Sequence, residues 1–358
     1  MTLLRRRLYL LMLLLALLAL LAAAWAGLVR MGWALPPFQV AGHGPLMISG
    51  FLGTLISLER AVALAATLPR GRWTMAVPAL AALGTLGLLA GIGGWIPPAL
   101  ITLSSAGLTL MFAAILRRHP ALFTVTMGLG ALAWLVGNVL WLFGMPLYQL
   151  VHWWVGFLVL TIAGERLELS RVTRLSPMSY RAFGAAAALF LGGITLTLLA
   201  ADAGVRVAGI GKIALALWLL NFDIARRTIR QSGLTQYIAA CLLLGYLWLI
   251  VGGMVATWSG AVMAGFRYDA SLHTVLLGFV FSMIFGHAPI ILPSITSLTL
   301  AFHRRFYLHL ALLHLSLLLR IAGDLAVSLE ARQWGGLLNV VALLLFLFNT
   351  AAAVERKK

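Results

Sequence analysis

Cysteine is almost absent: the 358 residues contain one, Cys241, inside an apolar run. A disulfide framework, a thiolate zinc site and an iron–sulfur cluster all need several sulfurs, so all three are excluded. Acidic residues are scarce too, nine Asp and Glu against 26 Lys and Arg, giving a net charge of +17. Long polar stretches are also missing, and no soluble domain stands out. The most polar segments, around 169–181 and 224–235, are short and studded with arginine.

What fills the chain instead is hydrocarbon: 62% of residues are hydrophobic, 10% are charged, and the mean hydropathy is +1.02. A soluble protein of this length has too little interior to hide that surface, so the expected solvent is lipid. About twelve stretches are long enough to span a bilayer, centred on 8–28, 40–66, 74–93, 97–116, 121–144, 147–168, 182–201, 207–223, 236–256, 270–292, 304–323 and 335–353. Around 200–212 the boundary is soft, because Asp202, Arg206 and Lys212 are expected to crowd a short turn. The first run, after Arg5-Arg6-Arg7, shows no small-residue cleavage site and is read as a retained first helix.

The positive charge is unevenly placed. With the N-terminus inside, the cytoplasmic segments hold Arg5, Arg6, Arg7, Arg70, Arg72, Arg117, Arg118, Arg171, Arg174, Arg181, Arg226, Arg227, Arg230, Arg304, Arg305, Arg356, Lys357 and Lys358. The outer segments hold Arg30, Arg206, Lys212, Arg267 and Arg332. That is the positive-inside bias, which puts both termini in the cytoplasm of a bacterial-type inner membrane. The basic residues thus report insertion next to anionic lipid, and nucleic acid is not an expected partner.

One pattern recurs three times, about 110–120 residues apart: His43…GFLGTLISLER, His152…GFLVLTIAGER and His273…GFVFSMIFGHA. Trp25 and Trp134 each precede their histidine by 18 residues. Repetition of this kind governs the reading of the fold. The expected fold class is an all-α integral membrane protein with about twelve transmembrane helices in three parallel four-helix repeats, roughly 1–118, 119–231 and 232–358, within one membrane domain. Helices 2, 6 and 10 then lie around a common axis, with His43, His152 and His273 in the outer third and Glu59, Arg60, Glu165, Arg166 and His287 toward the inner side. Trp25, Trp33, Trp134, Trp141, Trp153, Trp154, Trp248 and Trp258 are read as an aromatic belt.

An ionisable group at lipid depth is costly, so it faces the bundle interior and carries function. Neutral imidazole is a favoured ligand of haem iron and of copper. His43, His152 and His273 are therefore candidate metal ligands, the structural alternative being imidazoles hydrogen-bonded between helices. His287 lies 14 residues beyond His273, about 21 Å along a helix and within about 40° of the same face. It is expected to support a second site or tune the first. His309 and His314 on helix 11 are alternative inner-site ligands, about 140° apart, of which one can face a given site. His119 and His303 sit beside arginines in cytoplasmic turns and are read as solvated. Glu59-Arg60 and Glu165-Arg166 are either helix-end ion pairs or a proton route or propionate contact; Arg320, Asp324 and Asn339 are weaker candidates of the same kind.

The segment GHGPLMISGF (42–51) resembles the second helix of haem–copper oxidase subunit I, and the whole chain is similar in organisation to the NnrS family through its size, the histidine opening helix 2, and LHTVLLGFVFSMIFGHAP in helix 10. The resemblance implies a membrane haem protein in which His43 and His273 are the axial ligands of one b-type haem, His152 falls where a copper ligand would stand, and nitric oxide or a similar diatomic gas is bound or handled. It also implies an electron donor or partner subunit. Helix 7 carries no histidine and helix 10 no His-x-His, so a complete oxygen-reducing binuclear centre is not expected. Two rivals are a nitric oxide or oxygen reductase with a reduced ligand complement, and a proton or ion transporter built on the intramembrane histidines and Glu-Arg pairs. Threefold repetition weighs against the second, since common transporters show twofold repeats.

Overall fold

The structure, a computed structural model, describes residues 3–38, 42–65, 71–296 and 298–355; for 3–6, 72, 294, 295 and 355 it describes the backbone alone. Arg70, Arg356, Lys357 and Lys358, four of the residues counted on the basic side, lie outside the described residues.

Among the described residues the chain forms twelve main helices: α1 (Leu3–Arg30), α2 (His43–Ala65), α3 (Ala76–Leu89), α4 (Ile96–Arg118), α5 (Leu122–Leu142), α6 (Leu147–Leu169), α7 (Pro177–Leu196), α8 (Ala201–Phe222), α9 (Gly233–Ser259), α10 (Phe266–Pro293), α11 (Phe306–Leu325) and α12 (Leu329–Ala351). Eleven are long and apolar enough to cross a membrane, and α3 is shorter. This is a multi-pass, all-α membrane protein. A two-residue antiparallel pairing, Thr299 with Glu355 and Leu300 with Val354, ties the stretch after α10 to the end of α12.

The helix boundaries follow local chemistry. Proline opens α4 and α7 at positions where no intrahelical N–H is needed. Ser176 caps α7 by accepting from the Ser179 amide at 3.1 Å. Gly260 ends α9 at φ 64°, a conformation glycine adopts without Cβ strain.

The turn between α7 and α8 falls earlier than the sequence indicated. Helix α8 begins at Ala201, so Asp202, Arg206 and Lys212 are helical. Asp202 sits at the favourable N-terminal end of the helix dipole and pairs with Arg206 one turn on at 2.7 Å. Arg206 also donates to the Thr257 and Trp258 carbonyls at the end of α9. Lys212, expected in an outer loop, is buried at 5% exposure. The hairpin can be this tight because Gly204 meets the Thr197 backbone, where a Cβ would lie 2.4 Å from its nitrogen.

The three helices bearing the repeated histidines are the innermost. About two-thirds to three-quarters of their spans is buried (67%, 72% and 67% for α2, α6 and α10), against 33–56% for the other spans. Two of them share a departure from α geometry, since Leu46–Gly53 of α2 and Thr274–Phe281 of α10 are π-helical. Such wide turns are rare and recur at functional sites. Helix α6 is α-helical throughout.

The tryptophans do not form one belt. Trp25 and Trp258 are exposed, but Trp134 and Trp154 are fully buried. Trp134 stacks on Phe157 (4.9 Å between centroids) and donates to Ser49 Oγ, while Trp154 donates to Asn138 Oδ1. A buried indole N–H needs an acceptor, and this polar knot supplies it between α2, α5 and α6.

Candidate metal centre

The rings of His43 and His273 face one another across a cavity of about 630 Å³, with centroids 6.2 Å apart and planes inclined by 32°. Each ring is held at Nδ1 by a backbone carbonyl, and His273 Nδ1 also lies 3.2 Å from the Asp269 carboxylate. His43 Nδ1 lies 2.7 Å from the Ala23 carbonyl, and His273 Nδ1 lies 3.0 Å from the Asp269 carbonyl one turn earlier. A carbonyl oxygen can only accept, so Nδ1 carries the proton and Nε2 keeps its lone pair. That is how a metal-ligating histidine is fixed in tautomer and direction. Gly27 lets the His43 ring lie against α1, since a Cβ there would meet Cε1 at 3.0 Å.

Spacing carries a further message. Two imidazoles binding one ion through Nε2 from opposite sides, at about 2.0–2.1 Å each, place their centroids about 6 Å apart. The observed separation therefore suits one metal shared between α2 and α10.

Above the rings sits a charged cluster. Arg320 grips Asp269 through two hydrogen bonds of 2.8 Å. Arg332 lies 3.5 Å from Asp269 and 3.3 Å from Asp324, with its guanidinium over the Phe266 ring. Arg30 lines the same cavity. Three guanidiniums against two carboxylates leave one positive charge in excess, which suits a ligand carrying carboxylates of its own.

A second cavity, about 340 Å³, lies along the same helices toward Glu59 and Glu165. His287 lines it with Nδ1 2.7 Å from the Met283 carbonyl, so its Nε2 is also free of the proton. Arg60 pairs with Glu165 and lies 3.7 Å from Glu59, joining the ends of α2 and α6. Phe51 and Phe281 stack between the cavities, 6.1 Å apart and nearly parallel at 18°. Phe281 lines the first and Phe51 the second.

The other expected residues are placed differently. His152 lines neither cavity, although Val151 and Trp154 on the same helix line the first; the charge it senses is that of Lys212 on α8. Three imidazoles thus do not meet around one axis; two do. Arg166 is also outside both cavities. It makes a buried two-pronged pair with Asp223 at 2.7 and 3.0 Å, which fastens α6 to the end of α8. His309 has both nitrogens engaged, by Tyr237 Oη at 2.9 Å and Asn349 Nδ2 at 3.1 Å. His314 Nδ1 accepts from Trp248 Nε1 at 2.8 Å, which leaves the proton on Nε2 and no lone pair there for a metal. Neither is disposed as an inner-site ligand. Among the described residues, no group of three or more His, Cys, Asp or Glu is placed to hold a metal ion.

Asp269, Arg332, Arg30 and the Phe51–Phe281 pair escaped the sequence reading. Asp269 had a usable signal: it is one of nine acids in the chain and stands four residues before His273, hence on the same helix face.

Residues 7–355 match the family described as Domain of unknown function (DUF8744), and the chain belongs to that family. No curated protein matches the chain.

Proposed function

We propose that this chain is an integral membrane haem protein in which His43 and His273 are the two axial ligands of one b-type haem, set near the outer face of a bacterial inner membrane with both termini cytoplasmic. The single observation that carries the reading is the 6.2 Å separation of two rings whose Nε2 lone pairs are both free. A cavity of about 630 Å³ falls in the range of cofactor pockets, and its excess arginine charge suits the acid side chains of a porphyrin. The macrocycle brings four nitrogens, so two protein ligands complete the iron. A bare copper ion would need more protein ligands, and the described residues offer no cluster of three, so copper draws no support here. Covalent attachment through Cys-x-x-Cys-His is excluded by the single cysteine, so the haem would be held non-covalently, as the b type is.

Once bound, the group supplies a one-electron couple. The chain's own part is to aim both imidazoles, line the site with apolar walls, and balance charge through Arg30, Arg320 and Arg332. With His43 and His273 both holding the group, the site would be suited to electron transfer, with a membrane donor or partner subunit on either side of the step. The twelve helices, with α2, α6 and α10 innermost, support the three-repeat arrangement of the haem–copper and NnrS proteins as the framework.

Handling of nitric oxide or another apolar diatomic gas is the second reading, and His287 favours it. One imidazole with a free Nε2 in an apolar cavity leaves the opposite coordination position open. The reductase and transporter alternatives have no comparable feature. Absorption spectroscopy on detergent-purified protein decides: the proposal expects a Soret band with low-spin character. A colourless, metal-free preparation that catalyses ion flux would sink it in favour of a transporter.

A further inference from the structure

Between α7, α8 and the turn after α8 lies a hollow of about 720 Å³ that shares no lining residue with either histidine cavity. Four guanidiniums line it: Arg174, Arg226, Arg227 and Arg230. The one acid among the lining residues is Asp223, and both its oxygens are engaged by Arg166. Among the described residues, none of the four arginines has a carboxylate within ion-pair distance. The Ser176 hydroxyl and the N-terminus of the 20-residue α7 open on the same space. Four uncompensated cations around one concavity make an anion site, and a helix N-terminus adds to it.

The hollow does not end at the charges. Asn221 and Phe222 also line a groove of about 380 Å³ that runs between α7 and α8, floored by Ala182, Ala185, Ala186 and Ala214. With Leu189, Leu217 and Trp218 beside them, the alanines form an apolar furrow on the outer surface of the bundle. Val172 and Met178, beside the arginines, are 71% and 67% exposed, as befits a surface in contact with lipid and its headgroups. An anion site that continues into an apolar furrow matches an amphiphile with a phosphate at one end.

We propose that this is a binding site for an anionic phospholipid, its phosphate head among Arg174, Arg226, Arg227 and Arg230 and one acyl chain along the alanine furrow. Basic hollows between transmembrane helices on the cytoplasmic side take such heads. A soluble phosphate ester shares the head chemistry, but has no use for the furrow. The inference does not depend on the haem reading.

Binding to the purified full chain in detergent is measured for phosphatidic acid, for phosphatidylcholine of the same chains, and for glycerol phosphate. The expected result is strong preference for phosphatidic acid, a loss of about a hundredfold in R226Q/R227Q/R230Q, and no change in the control R117Q. Ala182→Trp with Ala185→Trp, which blocks the furrow, should weaken the lipid and spare glycerol phosphate. If the triple variant loses helix content by circular dichroism, R230Q alone is read, with a loss of about fivefold expected. Equal binding of phosphatidylcholine, unaltered binding in the arginine variants, or glycerol phosphate binding as tightly as the lipid would each overturn the proposal.

Discussion

The two central cavities are lined by the same five helices, α1, α2, α6, α10 and α12, and differ in what they offer a metal. At the end of α1 and the start of α10, two imidazoles oppose each other and salt-bridged arginines stand above them. At the other end, one imidazole looks into hydrocarbon with two glutamates nearby. Under the proposed reading, a haem held from both sides would pass electrons, and one held from a single side would be open to a ligand. The same winding device, a π-helical segment in α2 and α10, lies between the two ends.

The comparison is broken most directly at the ligands. His43→Ala or His273→Ala should abolish the low-spin spectrum, while His119→Ala, an exposed change at the end of α4, should leave it intact; equal haem content in all three, measured by pyridine haemochrome, contradicts the assignment. His287→Ala should leave the low-spin band in place and remove any spectral change on adding nitric oxide, and loss of the low-spin band instead would merge the two sites into one. Replacing Arg320 by Ala removes both short hydrogen bonds of buried Asp269 and leaves it Arg332 at 3.5 Å, at a cost of about 1.5–3 kcal/mol. Thermal unfolding followed by circular dichroism reads that loss, and an unchanged midpoint would mean that the pair is solvated. Gly27→Val pushes on the His43 ring without touching a ligand, so haem retention should weaken roughly tenfold, seen as faster transfer to apomyoglobin. His309→Ala, at a ring hydrogen-bonded on both sides, should lower stability by about 1–3 kcal/mol and leave the spectrum alone.

Much of this was legible in the chain. Apolar runs placed all twelve helices, because lipid demands continuous hydrophobic stretches of nearly fixed length. The repeated His…Gly-Phe pattern picked out the three innermost helices, and the scarcity of intramembrane ionisable groups made His43, His273, His287, Glu59 and Glu165 stand out. What failed did so for local reasons. His152 fits the pattern as well as His43 does, yet helix rotation decides which way a ring points, and the packing of α6, chiefly against α5, sets that rotation. The engagement of His309 and His314 depends on Tyr237, Asn349 and Trp248, contacts made across 40 to 72 positions of sequence. Asp202 and Arg206 looked like a turn because charges usually mark one; pairing within a helix let them begin α8 instead.

The stacked Phe51 and Phe281 set a limit on traffic through the molecule. These rings, with Ile48 and Leu277 on one side and Leu52 and Val280 on the other, put aromatic and aliphatic carbon between the two chambers. A hydrogen ion travels by hopping along waters and polar atoms, whereas an electron tunnels through a few ångströms of aromatic carbon. If the paired imidazoles hold a haem as proposed, these two rings would hinder protons from the glutamate chamber more than electrons.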